Sequence, residues 1–191
     1  MKYYKIILSV LMVVSYYNLQ AQDRFYTKSG QIIFFSKAPL ESIEAGNKNV
    51  TCVLDTKTGQ LQFVVLMKGF EFKKALMQEH FNENYLESDK FPKSVFKGSI
   101  DNISKIDFNK EGKYTVTITG QLTVHGETKT ITAPAVFTIQ KENVLAAAEF
   151  LINLADYKIQ IPALVKDKIS KTIKVAVNLK YDAVSIPAKN S

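Results

Sequence analysis

The segment "KYTVTITGQLTVHG", Lys113–Gly126, decides how the chain folds. Tyr114, Val116, Ile118, Leu122 and Val124 fall on one side of an extended backbone, and Thr115, Thr117, Thr119, Gln121 and Thr123 on the other. Apolar residues at every second position mark a half-buried strand, and threonine suits a pleated surface as well as valine does. Gly120 breaks the apolar row where a bend or a close backbone approach fits. "TIKVAVNLKYD", Thr172–Asp182, repeats the pattern, with Ile173, Val175, Val177, Leu179 and Tyr181 inward and Lys174, Asn178 and Lys180 outward.

Working outward, six more stretches read as strands: "GQIIFFS", "NVTCVLD", "QLQFVVLMK", "SVFKGSIDNI", "TITAPAVFTIQ" and "NVLAAAEFLIN". The links between them are short. Gly59 in "TKTGQ" and Gly112 in "NKEGK" suit positive φ, "HGET" places Gly126 at the first central position of a type II′ turn, and "QKENV" is a further reversal. Parallel strands need long crossovers, so these links require antiparallel neighbours. "FKKALMQEHFNENYLES" alone reads as a helix, with Met77, Phe81 and Tyr85 in one stripe, and Pro92 ends it. About eight antiparallel strands and one short helix define an all-β barrel or sandwich, and patterning leaves that choice open.

The chain has 191 residues and a formal charge of +7. It opens on "MKYYKIILSVLMVVSYYNLQAQ": Lys2 and Lys5, an apolar run from Ile6 to Val14 broken by Ser9, then Leu19-Gln20-Ala21. That is the layout of a cleaved export signal, and the run is shorter than the roughly 18–20 residues of a spanning helix. The expectation is a signal peptide at 1–21 and one domain at 22–191, periplasmic or extracellular, with no stable membrane span. The charge is nearly all lysine, since Arg24 is the single arginine, and no dense basic run appears. Arginine forks serve phosphate and base-edge recognition, so a solvated surface is expected here rather than a nucleic-acid footprint. Cys52 is the single cysteine, so no intramolecular disulfide forms. Its β-like setting makes it a buried apolar residue.

The most polar stretch is "HFNENYLESDKFPKSVFKG", His80–Gly98. His80, Glu83 and Glu87 share a helical face at i, i+3 and i+7, yet zinc sites favour more nitrogen or sulfur ligands, and His125 is distant in sequence. Glu83, Glu87 and Asp89 act as acid and base only if their surroundings separate their pKa values. No nucleophile elbow, phosphate loop or dinucleotide fingerprint accompanies them. The expectation is no catalytic residue, no metal ligand and no cofactor: the helix lies on the barrel, its apolar stripe inward and its acids in water.

Three motifs in order resemble the YceI-like family of secreted lipid-binding proteins. Leu86, Ser88, Asp89, Phe91 and Pro92 precede a strand with Phe96 and Gly98. Leu122, Thr123 and Val124 run into Gly126, Thr128 and Lys129. Asn153 is followed by Asp156, Tyr157 and Ile159. Their order and spacing span roughly residues 30–182. The resemblance implies a lipocalin-like, up-and-down antiparallel barrel with an elongated apolar lumen. It implies an isoprenoid-type ligand, a polyprenyl chain or isoprenoid quinone tail, pairing as a homodimer in some members, and no shared catalytic chemistry. The expected lumen is lined by Phe63, Val65, Met67, Val116, Ile118, Val124, Phe137, Ile139, Phe150, Val175 and Val177, covered by Met77, Phe81 and Tyr85. The alternative is that these residues fill a packed core, the protein then being an interaction module at the cell surface or, as a third reading, a hydrolase using the acidic helix. At least one of Ala146, Ala147 and Ala148 faces inward and leaves room. Asn153, Asp156 and Tyr157 are the candidate head-group contacts, although Asp156 and Tyr157 equally suit a loop. The chain departs from the family where Ala38 and Pro39 stand near a usual histidine, Leu154 in place of a common arginine, and Lys158 in place of a common glycine.

Overall fold

The structure is a computed structural model and describes residues 24–141 and 143–182. The expected export signal at 1–21 and the tail "SIPAKNS" lie outside them. The strands are β1 (Arg24–Lys37), β2 (Ser42–Asp55), β3 (Gln60–Leu66), the two-residue β4 (Glu71–Phe72), β5 (Lys93–Ile100), β6 (Gly112–Val124), β7 (Glu127–Ile139), β8 (Asn143–Asn153) and β9 (Thr172–Asp182). Apart from β4, which pairs only with β2, each strand is antiparallel to its neighbour in the chain, and β9 pairs back onto β1. The sheet therefore closes into an eight-stranded up-and-down barrel, as the resemblance implied and patterning could not decide.

Alternation is realised residue by residue. Val116, Ile118 and Leu122 of β6 are buried while Thr115, Thr117 and Gln121 are exposed, and Ile173, Val175, Val177, Leu179 and Tyr181 of β9 are all buried. The polar face of β6 bonds across to β7 on the outer wall: Thr119 to Thr132 at 3.2 Å, Gln121 to Thr130 at 2.9 Å and Thr123 to Thr128 at 2.8 Å. Such cross-strand pairs stabilise a sheet surface that carries no apolar contact.

The turns depart from expectation at two places. Val124 pairs with Glu127, so His125 and Gly126 are the two central residues of the hairpin. Both have positive φ, 50° and 76°, as a type I′ turn requires and a type II′ turn does not. Gly112 opens β6 without a positive φ, whereas Gly59, at 73°, is left-handed as expected. The helix is also shorter than its stripe suggested. α1 covers Ala75–His80, and a wider π-type turn carries the chain through Phe81–Tyr85.

One end of the barrel is packed solid. Leu54, Ile100, Ile106, Val144 and Leu179 fill it, and Phe25 meets Phe108 and Tyr181 at ring separations of 5.8 and 6.2 Å. Cys52 lies fully buried there, its Sγ 3.1 Å from the Tyr181 hydroxyl. Burial pushes the Cys52 thiol up to about 12 despite that bond, so almost none of it is thiolate at neutral pH. In the native protein at pH 8, Cys52 is expected to resist a disulfide reagent for hours and to react within minutes in denaturant. Release of the chromophore checks this, and fast native reaction would show that this end opens.

Candidate functional site: an apolar lumen with a rimmed mouth

The opposite end stays open. It is formed by the C-terminal ends of β1, β3, β6 and β8, with α1 and the segment between β8 and β9 around it. From it a cavity of about 560 Å³ enters the barrel, within the roughly 300–1,000 Å³ of small-molecule sites. Of the residues expected in the lumen, Phe63, Val65, Met67, Ile118, Val124, Phe150, Val175 and Val177 line it, and Met77, Phe81 and Tyr85 close over it. Val116, Phe137 and Ile139 also point inward, but they belong to the packed end and do not border the cavity. Alternation states which side of a strand a residue faces and says nothing of its depth. Ala146 and Ala148 both face in, Ala147 faces out, and Ala148 borders the cavity.

The floor comes from glycine. Gly98 of β5 and Gly120 of β6 stand opposite each other. The Phe96 ring lies so close over both that a Cβ on either would sit 2.6 Å from it. A Cβ on Gly120 would also stand 2.5 Å from the Gly98 Cα and the Lys97 carbonyl oxygen. Phe96 therefore lies along the backbone in place of side chains, and it borders the cavity. The Phe96 and Gly98 pairing of the first motif is a packing device.

The cover is held by aromatic contact. Phe81 packs on Phe34, Phe70 and Phe72 with ring centroids 5.5, 5.5 and 5.0 Å away, and Phe34 lies nearly parallel to it at 19°. Phe34, Phe70 and Phe72 border the cavity and were not expected there. The polar residues of the stretch close its turn. Asn82 donates from Nδ2 to the Gln78 carbonyl at 2.9 Å, and the buried Ser88 donates to Asn82 from both its hydroxyl and its backbone N–H, each at 2.7 Å. Glu83, Glu87 and Asp89 do not border the cavity. Among the described residues no three His, Cys, Asp or Glu side chains gather as a metal site.

Glu87 has a specific partner instead. His125, in the β6–β7 hairpin, places Nε2 2.7 Å from Glu87 Oε2 and Nδ1 3.0 Å from the Tyr157 carbonyl oxygen. Each ring nitrogen thus faces an oxygen of a different loop, so the one imidazole bridges the segment after α1 and the segment after β8. The ring edge packs on Phe91 at 4.7 Å. Lys158 adds an ion pair to Glu127 at 2.6 Å and holds that carboxyl below its ordinary range. Glu87, His125 and Lys158 all have positive φ, 43°, 50° and 55°, which costs energy in a residue with a Cβ. Three loops thus meet in one constrained clasp. His125→Ala is expected to cost about 2 kcal/mol, two hydrogen bonds at about 1 kcal/mol each, read as a lower urea midpoint with unchanged slope. An unchanged midpoint would mean that the clasp holds nothing.

Asn153, Asp156 and Tyr157 do not border the lumen. Asn153 Oδ1 caps the short turn Leu154–Tyr157 by accepting from the Ala155 N–H at 3.1 Å, Asp156 is exposed, and Tyr157 is buried beneath the clasp. In these places they shape the loop, and all three also line a separate recess beside β7 and β8. The polar groups at the mouth are Ser36, Glu41, Lys74, His80 and Lys168, with Glu41 and Lys74 paired at 3.1 Å. Tyr85 borders the lumen, and burial raises its phenol further above the neutral range, leaving a neutral hydroxyl there. The far wall of the mouth is Leu154, Ile159, Val165 and Ile169, with Val165 and Ile169 at helical spacing as the one local sign of it.

A family model described as the YceI-like domain matches residues 16–181. Comparison with curated proteins finds no match. Among solved structures, a polyisoprenoid binding domain from Saccharophagus degradans, described as implicated in plant cell wall breakdown, superposes with a TM-score of 0.74 at 16% identity, over 85% of this chain and 99% of that one. BcnA of Burkholderia cenocepacia gives 0.65 at 14% identity, over 79% and 95%. A YCEI protein of Campylobacter jejuni gives 0.59 at 17%, over 73% and 84%. At these identities the superpositions speak for the barrel alone. The family match covers most of the chain, including every strand of the closed sheet and the stretch that builds the cover, and on that ground the chain belongs to the YceI-like family.

Proposed function

We propose that this protein is a binding protein rather than an enzyme, and that it is exported with loss of residues 1–21. Its role is to hold an isoprenoid-type chain, a polyprenyl chain or isoprenoid quinone tail, in the lumen for carriage or sequestration. One observation carries the reading: a cavity of about 560 Å³ whose interior wall is aliphatic and aromatic apart from Ser94, and whose charged side chains, Glu41, Lys74 and Lys168, stand at the rim beside His80. The polyisoprenoid binding described for the Saccharophagus degradans domain supports it.

The energetics suit a long apolar ligand. Each buried methylene contributes about 0.8 kcal/mol, before the cost of immobilising the chain is subtracted. Such binding is tight and poorly directional, so the lumen selects by shape and length. Leu154 places no charge on its side of the mouth and leaves the head group to Ser36, His80 and Lys168. The test is native and denaturing mass spectrometry of protein exported with its own signal. The expected result is a mature chain starting at Gln22, with a stoichiometric apolar adduct lost on denaturation and spaced by isoprene units among its species. An apo protein that also takes up no added polyprenyl quinone would overturn the reading.

A further inference from the structure

We infer that the rim of the open end is a docking surface for an anionic membrane, so that the mouth meets its lipid in the bilayer. Leu40, Leu76 and Leu164 are 70%, 59% and 93% exposed, and they come from the β1–β2 turn, α1 and the β8–β9 segment. Single exposed leucines need no explanation, but these three surround one opening. Contacts fix them to one another. The Leu40 N–H donates to the Asp167 carbonyl at 3.0 Å, joining the β1–β2 turn to the segment that carries Leu164. Lys74 Nζ pairs with Glu41 Oε1 at 3.1 Å, joining the same turn to the start of α1, where Leu76 borders the cavity.

Lysines stand between the leucines. Lys73, Lys166 and Lys168 are exposed beside them, and no ion pair engages them among the described residues. Asp167 and Glu79 are the opposing acids on the same segments, and Glu41 is already paired with Lys74. Apolar tips flanked by lysine are the chemistry of an interfacial anchor: side chains enter the acyl boundary while ammonium groups stay among anionic head groups. A water-soluble protein partner would be expected to meet the lysines with acids and would gain nothing from proximity to the lumen. A bilayer gives the cavity its ligand at the point of contact.

This inference rests on the lipid reading for its purpose, and the experiment separates the two. The mature chain is sedimented with vesicles of phosphatidylcholine alone and with phosphatidylglycerol added, at low and high salt. It is compared with a Leu40→Ser, Leu164→Ser double variant, whose changed residues do not border the lumen, and with Lys73→Glu, Lys166→Glu. Uptake of a polyprenyl quinone from detergent micelles is measured alongside. The expected result is binding that favours the anionic vesicles and falls with salt. The bound-to-free ratio should drop about tenfold or more in each variant, while micellar uptake is unchanged. No vesicle binding by the parent protein, or equal binding by the leucine variant, would overturn docking whether or not micellar uptake persists. Vesicle binding without any uptake would retain docking and remove the lipid reading. Loss of self-association in the leucine variant without vesicle binding would identify the rim as an interface with a second copy and overturn the proposal.

Discussion

Ala148→Phe is expected to weaken binding of an isoprenoid chain by about a thousandfold while leaving the barrel folded. Ala148 faces inward between Ala135 and Val177 and borders the open lumen, so a ring placed there enters vacant space. It would displace about one isoprene unit. Five carbons at about 0.8 kcal/mol each come to about 4 kcal/mol, and about 1.4 kcal/mol corresponds to tenfold. Ala147→Phe is the control: the same ring one residue earlier projects outward from an exposed position and should leave affinity unchanged. Titration of both variants with one quinone decides the matter. Equal affinity in the two would mean that the ligand does not reach the depth of β8 at Ala148.

Gly120→Val carries the largest expected effect on stability, a loss of about 3 kcal/mol or more and about 10 °C in Tm. A new Cβ would meet the Gly98 Cα and the Lys97 carbonyl at 2.5 Å, and neither backbone atom can swing aside as a side-chain tip does. β5 and β6 would have to separate at their paired glycines, and Phe96 would lift into the lumen. Thermal unfolding checks this. A Tm within about 2 °C of the parent would show that the two strands are less tightly joined than their register implies.

The barrel wall was legible because its signal is local. The threonine and valine rows of β6 and the lysine and valine rows of β9 each declare two faces within a dozen residues, and the structure places both rows as read. Hairpin spacing gave the antiparallel order, while the choice of barrel over sandwich came from the family motifs, because closure depends on β9 meeting β1. Depth was not legible: Val116 and Ile118 have the same pattern, yet only Ile118 reaches the cavity. Contacts between distant residues were equally hidden. His125 lies 38 residues from Glu87, and no spacing rule joins a hairpin tip to a helix end. The far wall of the mouth carries no strand period, since Pro162 and several lysines interrupt its apolar residues. Residue type could not place Asn153, Asp156 and Tyr157 relative to the lumen, because asparagine and aspartate serve turns as readily as ligands, and Asn153 Oδ1 caps one.

The pairing of β9 with β1 has a kinetic consequence. The other seams of the ring join strands that succeed one another around it, with β4 and α1 looped out between β3 and β5, whereas this one must bring together Phe34 and Val175 from opposite ends of the described residues. Its loop-closure entropy falls late and in a single step, and topologies that depend on such a step fold slowly. Until then β1 and β8 each present unpaired N–H and C=O groups to any passing chain. The eleven-residue β9 is therefore the lock of the ring, and a nascent or truncated chain without it is a half-open sheet prone to pair with its own copies.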